Sequence, residues 1–193
     1  MTKHLTLLLF IGLAIWSCEQ ITIPKSQEYF NQQLQTFKSN FNNSNTLAKK
    51  SAVVQEKKKY CKVNDGLYID NWYGKIIGAG NTFITAQYDD ITYSLHLISL
   101  RDNTIYDVGQ NILFSGFANS ISEEVHHTKV VLDCISIINP KTENILFSPS
   151  KNELKTFISK TERRIGKDSL WRKADNNPLL KEMLLVLEKL VND

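Results

Sequence analysis

Apolar residues recur along this chain with two periods, and the change from one to the other divides it. Phe30, Leu34, Phe37 and Phe41 are spaced by 4, 3 and 4, one face of a helix. Ser26 is placed to cap that helix, with Pro24 just outside it. A polar run, Asn40–Asn45, follows. Asn45 is the expected cap of a second helix over Thr46–Tyr60, with Leu47, Ala48, Val54 and Lys58 on one side. At Asn64-Asp65-Gly66, a turn signal, the texture shifts to strand.

Strands are predicted over Leu67–Ile77, Thr82–Tyr88, Ile91–Leu100, Asn111–Ala118 and Val125–Ile138. Gly78-Ala79-Gly80-Asn81, Asp89-Asp90, Arg101-Asp102-Asn103 and Asp107-Val108-Gly109 are the turns between them, and Asn139-Pro140 ends the last. Helix returns at Ser150-Lys151-Asn152-Glu153, a capping box, followed by Leu154, Phe157, Ile158 and Ile165. A last helix is expected from Asn177-Pro178, with Leu179, Leu180, Met183, Leu184, Leu187, Leu190 and Val191 on its apolar face. Short strands joined by short turns and flanked by helices imply an α+β fold: a small five-stranded antiparallel β-barrel between N-terminal and C-terminal helical segments.

Composition adds little to this. The chain is 42% hydrophobic and 22% charged, ordinary for a globular protein, with room for one domain in 193 residues. A net charge of +3 is too mild to argue for a nucleic-acid partner.

The first residues say more. Lys3 precedes a run of 12 mostly apolar residues, Leu5–Trp16, too short to span a bilayer as a helix. Ser17-Cys18 and the polar Glu19-Gln20 follow, which makes 1–17 a secretion signal. Ile15-Trp16-Ser17-Cys18 resembles the lipobox of bacterial lipoproteins: aliphatic, variable, small, cysteine. Trp16 is bulkier than that family's usual residue. The resemblance implies cleavage before Cys18, lipidation of its thiol, a membrane anchor, and a tether over 18–25. Glu19 after the cysteine implies the outer membrane of the bacterial envelope. Two cysteines then remain, Cys61 and Cys134, in a disulfide-permissive compartment, and they are the expected candidates for a bridge. The alternative is two buried free thiols.

Within the strands, Asn71-Trp72-Tyr73-Gly74-Lys75-Ile76 and Val108-Gly109-Gln110-Asn111-Ile112-Leu113-Phe114-Ser115-Gly116 resemble the first and fourth strands of OB-fold-like barrels, where glycine lets a strand bend as the barrel closes. With Asn45-Thr46-Leu47 and the closing Asn144–Phe147, they resemble an uncharacterised bacterial family that joins a helical lead-in to an OB-like domain. The resemblance covers about 45–148. The domain limits are a helical lead-in over 26–62, an OB-like β domain over 63–148 and a C-terminal helical segment over 149–193. Asp102–Gly109 leaves little room for the OB helix between strands three and four, so a different five-stranded barrel stays open.

No catalytic, metal or cofactor motif stands out. Gly-x-Ser-x-Gly and a phosphate-binding loop are missing from the sequence. Ser148-Pro149-Ser150-Lys151 matches Ser-x-x-Lys alone and serves better as the helix cap. His126-His127, beside Glu123-Glu124, face opposite ways if they lie on a strand. Lys57-Lys58-Lys59 is a basic run at the end of a helix, a solvated turn or a lipid-headgroup contact. Trp72, Tyr73, Tyr88 and Tyr93 are the candidate aromatic binding face. The function expected is a non-enzymatic, membrane-anchored binding module for an envelope protein or glycan. The alternatives are a small envelope enzyme using the 123–127 loop and an exclusion-type lipoprotein of a mobile element.

Overall fold

The structure is a computed structural model, and it describes residues 21–80, 82–98 and 106–165, with 181, 184, 185, 188 and 189. The predicted signal segment, Cys18, the predicted turn at 101–103 and most of the predicted last helix lie outside the described residues. Among the described residues two helices come first, α1 over Lys25–Asn43 and α2 over Leu47–Val63. Six strands follow: β1 Tyr68–Ala79, β2 Phe83–Tyr88, β3 Ile91–Leu97, β4 Asn111–Ile121, β5 Thr128–Ile138 and β6 Ile145–Phe147. A third helix, α3, covers Lys151–Ile165.

The sheet runs β3-β2-β1-β4-β5-β6, and β3 also pairs with β5, which closes a five-stranded barrel. The architecture is the α+β barrel expected, with one correction. The closing pair is parallel, from Ile91↔Thr128 to Leu97↔Cys134, so the barrel is mixed and not purely antiparallel. Its connectivity is OB-like. The expected closing segment, 144–147, forms β6, a short extra strand beside the end of β5.

Period-two burial fills the barrel. Cross-strand rows Ile84–Leu95–Leu132 and Ala86–Tyr93–Val130 point inward and are completely buried. Ile69 and Trp72 both reach the core although three residues apart. A bulge at Asp70–Asn71 supplies the extra residue, with Asn71 at φ 51. The hydroxyl of Ser115 fills that bulge, accepting from the Asn71 N–H at 2.9 Å and donating to Asp70 at 3.2 Å. Gly116 brings β4 close to β5: a side-chain carbon there would stand 2.4 Å from the Asp133 carbonyl oxygen. Gly66 takes φ 85 in the turn before β1, a conformation that favours glycine.

The helix pair sits across one end of the barrel. In α1, Phe30 packs on Trp72 with ring centroids 5.2 Å apart, and Phe37 on Tyr60 at 5.5 Å. Gln27 is buried, and its carboxamide stands in for a strand: Nε2 donates to the Tyr73 carbonyl at 2.7 Å and Oε1 accepts the Tyr73 N–H at 2.8 Å. The indole N–H of Trp72 donates to Ser26 at 3.0 Å. So Ser26 binds the barrel and does not cap α1, which has no side-chain cap.

In α2 the cap is Thr46 and not Asn45; its hydroxyl accepts from the Lys49 N–H. Its buried face is Val53, Lys57 and Cys61, whereas Leu47 is 87% exposed. That corrects the expected face of Leu47, Ala48, Val54 and Lys58. The reason is chemical: a lysine and a cysteine hold inward positions that hydropathy reads as outward. Lys57 donates to the Glu124 carbonyl and to Thr128 Oγ1, the latter at 2.9 Å. Burial lowers its pKa. Lys58 pairs with Glu123 at 3.5 Å. No helix among the described residues is long and apolar enough to cross a membrane.

Candidate functional site

The side chains that alternate with the buried rows face outward. On β2, β3 and β5 they form the rows Gln87–Thr92–Lys129, Thr85–Ser94–Val131 and Phe83–His96–Asp133. In OB-type barrels the outer face of strands two and three is where ligands lie. Here α3 stands over its β3–β5 edge. The helix is started by the predicted capping box: the Ser150 N–H donates to Glu153 Oε2 at 2.6 Å, and the Glu153 N–H donates back to Ser150 Oγ at 3.4 Å. Leu154 fixes it to the protein, 4% exposed.

Between the barrel face and α3 a groove of about 640 Å³ remains, within the usual range of about 300–1,000 Å³ for ligand pockets. Leu97, Ile98 and Phe157 give it apolar walls. His96 and Asp133 come from paired positions on β3 and β5, and Glu153, Thr156 and Lys160 from successive turns of α3. The groove therefore offers apolar contact together with acidic, basic and imidazole groups. Such a lining suits a ligand of mixed character, such as a segment of polypeptide.

The predicted aromatic face is split. Trp72 and Tyr93 are core residues, 1% and 0% exposed, with ring centroids 6.0 Å apart. Burial pushes the Tyr93 phenol far up. Tyr73 and Tyr88 are half-buried, in an edge-on contact at 5.7 Å; Tyr88 packs against the core, and the Tyr73 hydroxyl donates to Asn111 at 2.9 Å. The four do not form one surface. Adjacent residues on a strand face opposite ways, so Trp72 and Tyr73 cannot share a face.

The predicted cysteine bridge is not formed. Both thiols are free and buried; Cys61 donates to the Ser122 carbonyl at 3.6 Å and Cys134 to that of Ser136 at 3.4 Å. Cys134 pairs with Gly116 while Cys61 sits against Ser122. That spacing along β4 is on the order of 15 Å, well beyond the reach of a disulfide.

The residues of the 123–127 loop disperse. Glu123 goes to Lys58, His126 meets the Phe41 ring edge-on at 5.2 Å, and His127 Nε2 lies 3.3 Å from Thr92 Oγ1. Among the described residues, no three His, Cys, Asp or Glu side chains gather where they could hold a metal ion. Asp90 in the predicted turn binds Lys38 at 2.5 Å and Gln35 at 3.4 Å, and Lys38 holds its carboxyl below the usual range. The basic run also divides: Lys57 is buried, Lys58 is paired and Lys59 is exposed.

Sequence reading missed the groove. The available signal was parity, because His96 and Asp133 both alternate with buried neighbours on their strands. Compared with protein-family models, curated proteins and solved structures, the chain has no match.

Proposed function

We propose that this chain is a non-enzymatic binding module of the bacterial envelope, held on the membrane by a lipid on Cys18, that captures a segment of another envelope protein. The anchor rests on the sequence: Lys3, the short apolar run Leu5–Trp16 and the lipobox-like Ile15-Trp16-Ser17-Cys18. Two or more acyl chains would hold the protein stably on a bilayer. The binding role rests on the groove between the β3–β5 face and α3. Its apolar walls Leu97, Ile98 and Phe157 stand beside Asp133, Glu153 and Lys160. An extended segment threading it would bury apolar side chains against Leu97, Ile98 and Phe157 while a carboxylate on it meets Lys160.

A photo-crosslinking residue at Thr156, exposed on the groove side of α3, tests this in intact cells. The reading expects one dominant crosslinked protein from Thr156 and none from the same probe at Glu56, exposed on α2. Radiolabelled fatty acid should enter the wild-type chain and not Cys18→Ser. A crosslinked product equal at both positions would sink the groove, and an unlabelled wild-type chain would sink the anchor.

A further inference from the structure

The positive charge of this chain is concentrated in one helix. Of its 23 basic and 20 acidic residues, α2 holds six lysines and one glutamate, so that helix carries +5 and the rest of the chain −2. Lys57 turns inward, Lys58 pairs with Glu123, and Lys50 lies over the Phe41 ring at 5.2 Å. Lys49, Lys59 and Lys62 are exposed and form no ion pair among the described residues. Helical spacing sets Lys59, Lys62 and Val63 away from the buried Val53, Lys57 and Cys61. Of the nearby acids, Glu28 lines the hollow at the β2–β3 turn and Asp65 meets the Ile121 backbone, which leaves Glu56 on this face. Val63 is 69% exposed, and so is Tyr29, at 62%, in the first turns of α1. The next residue, Phe30, has its ring 6.0 Å from that of Tyr60 in the last turn of α2. The start of α1 and the end of α2 therefore lie side by side, and Tyr29 and Val63 share that end with Lys25, Lys59 and Lys62.

The tether enters at this end. Seven residues separate Cys18 from Lys25, a reach of at most about 25 Å. A lipid on Cys18 thus keeps these side chains close to the headgroups. Their chemistry matches what they would meet: ammonium groups for lipid phosphates, and a tyrosine and a valine for the boundary between headgroups and acyl chains. We propose that this end of the helix pair, with Lys25, Tyr29, Lys59, Lys62 and Val63, docks on the anionic bilayer that holds the Cys18 lipid. The inference rests on the anchor in the proposed function and adds to it a second attachment, the usual companion of a lipid chain. It also sets an orientation. Lys38 of α1 binds Asp90, just before β3, whereas the groove residues His96–Ile98 come at the far end of that strand. Docking by the helices leaves the α3 groove open to a partner.

The test uses the full chain purified from cells fed labelled fatty acid and reconstituted into vesicles of phosphatidylcholine, with or without phosphatidylglycerol. A fluorophore is placed on Ala52→Cys, exposed on α2, or on Thr142→Cys, exposed in the β5–β6 turn. The native Cys61 and Cys134 are buried, so the dye goes to the introduced thiol. A quencher carried on lipid headgroups should dim the Ala52 probe roughly twofold more than the Thr142 probe when phosphatidylglycerol is present. That difference should vanish in phosphatidylcholine alone and at about 0.5 M salt, where charges are screened. It should vanish too in the double variant Lys59→Gln, Lys62→Gln, whose urea midpoint stays that of the parent because both side chains are exposed. Equal quenching at the two positions in anionic vesicles overturns the proposal, as does a difference that survives the double substitution. Self-quenching of the Ala52 probe that grows with protein density, without quenching by lipid, would assign the face to a second copy of the chain and equally overturn it. A chain that carries no labelled fatty acid fails the anchor and this surface together; a labelled chain with equal quenching fails this surface alone.

Discussion

Three glycines in the barrel turn one chemical change into a graded measurement. Adding a methyl group at Gly116 places it 2.4 Å from the Asp133 carbonyl oxygen and 3.0 Å from the Cys134 Cα, both backbone atoms of the neighbouring strand. Backbone in a closed barrel cannot step aside as a side chain can, so Gly116→Ala has to push β4 from β5. Overpacking costs about 1–3 kcal/mol, and this position belongs at the top of that range. At Gly74 the same methyl meets Ala86 Cβ at 3.0 Å and the Phe114 ring at 3.2 Å, both core residues. A shift of a few tenths of an ångström relieves it, and Gly74→Ala should cost about 1 kcal/mol. At Gly78 the nearest atom is 3.9 Å away, ordinary contact, and φ is not positive. There alanine should stabilise by about 0.5 kcal/mol, through the narrower unfolded ensemble. Urea unfolding followed by the fluorescence of buried Trp72 reads all three. With a slope of about 2 kcal/mol per M, the Gly116→Ala midpoint should fall by roughly 1.5 M, that of Gly74→Ala by about 0.5 M, and that of Gly78→Ala should rise slightly. Equal midpoints for Gly116→Ala and Gly78→Ala would refute the close approach of β4 and β5, and with it the way the barrel is shut.

Two further outcomes follow from buried groups. Burial raises the Tyr60 phenol from 10.0 to about 12. Between those values the unfolded chain has lost the proton that the folded chain keeps, so stability falls as pH rises from 10 to 12. Tyr60→Phe should remove that part of the slope, on the order of 1–2 kcal/mol after allowance for partial exposure; a pH profile identical to wild type in alkaline denaturation would contradict it. Burial pushes the Cys134 thiol up to about 12 and raises Cys61 as well. Both should resist iodoacetamide in the folded chain and react in denaturant, with the same gel mobility with and without reductant. Faster migration without reductant would show a bridge.

How far each element was legible depended on whether its signal was local. The apolar stripe Phe30–Phe41 announced α1 because helix spacing is written within a dozen residues. The turns at Asn64–Gly66, Asp89–Asp90 and Asp107–Gly109 located the strands, and Ser150–Glu153 the start of α3. The inward face of α2 was hidden, because Lys57 earns its place only through the Glu124 carbonyl and Thr128, far away in sequence. The parallel pairing of β3 with β5 has no turn to mark it. The aromatic face failed for a reason visible beforehand: Trp72 and Tyr73 are adjacent in a strand. The α3 groove combines side chains of a helix with those of two strands far apart in sequence.

The β3–β5 pairing also orders the assembly of the molecule. The β1–β2–β3 meander and the β4–β5 pair each join strands that neighbour one another in sequence, and each can zip from its own turn. The parallel pairs from Ile91↔Thr128 to Leu97↔Cys134 have no such starting point. Two preformed sheets must meet along two seams, β1–β4 and β3–β5, and the loop entropy of the chain between them is spent before any contact is gained. Substitutions at inward positions of the parallel seam, such as Leu95 or Leu132, should leave the folding rate nearly unchanged and appear mainly as faster unfolding. The same line is where Lys57 reaches Thr128 and where Lys38 holds Asp90 next to Ile91. The helix pair is thus tied to the barrel along its parallel seam, where no local turn joins the strands.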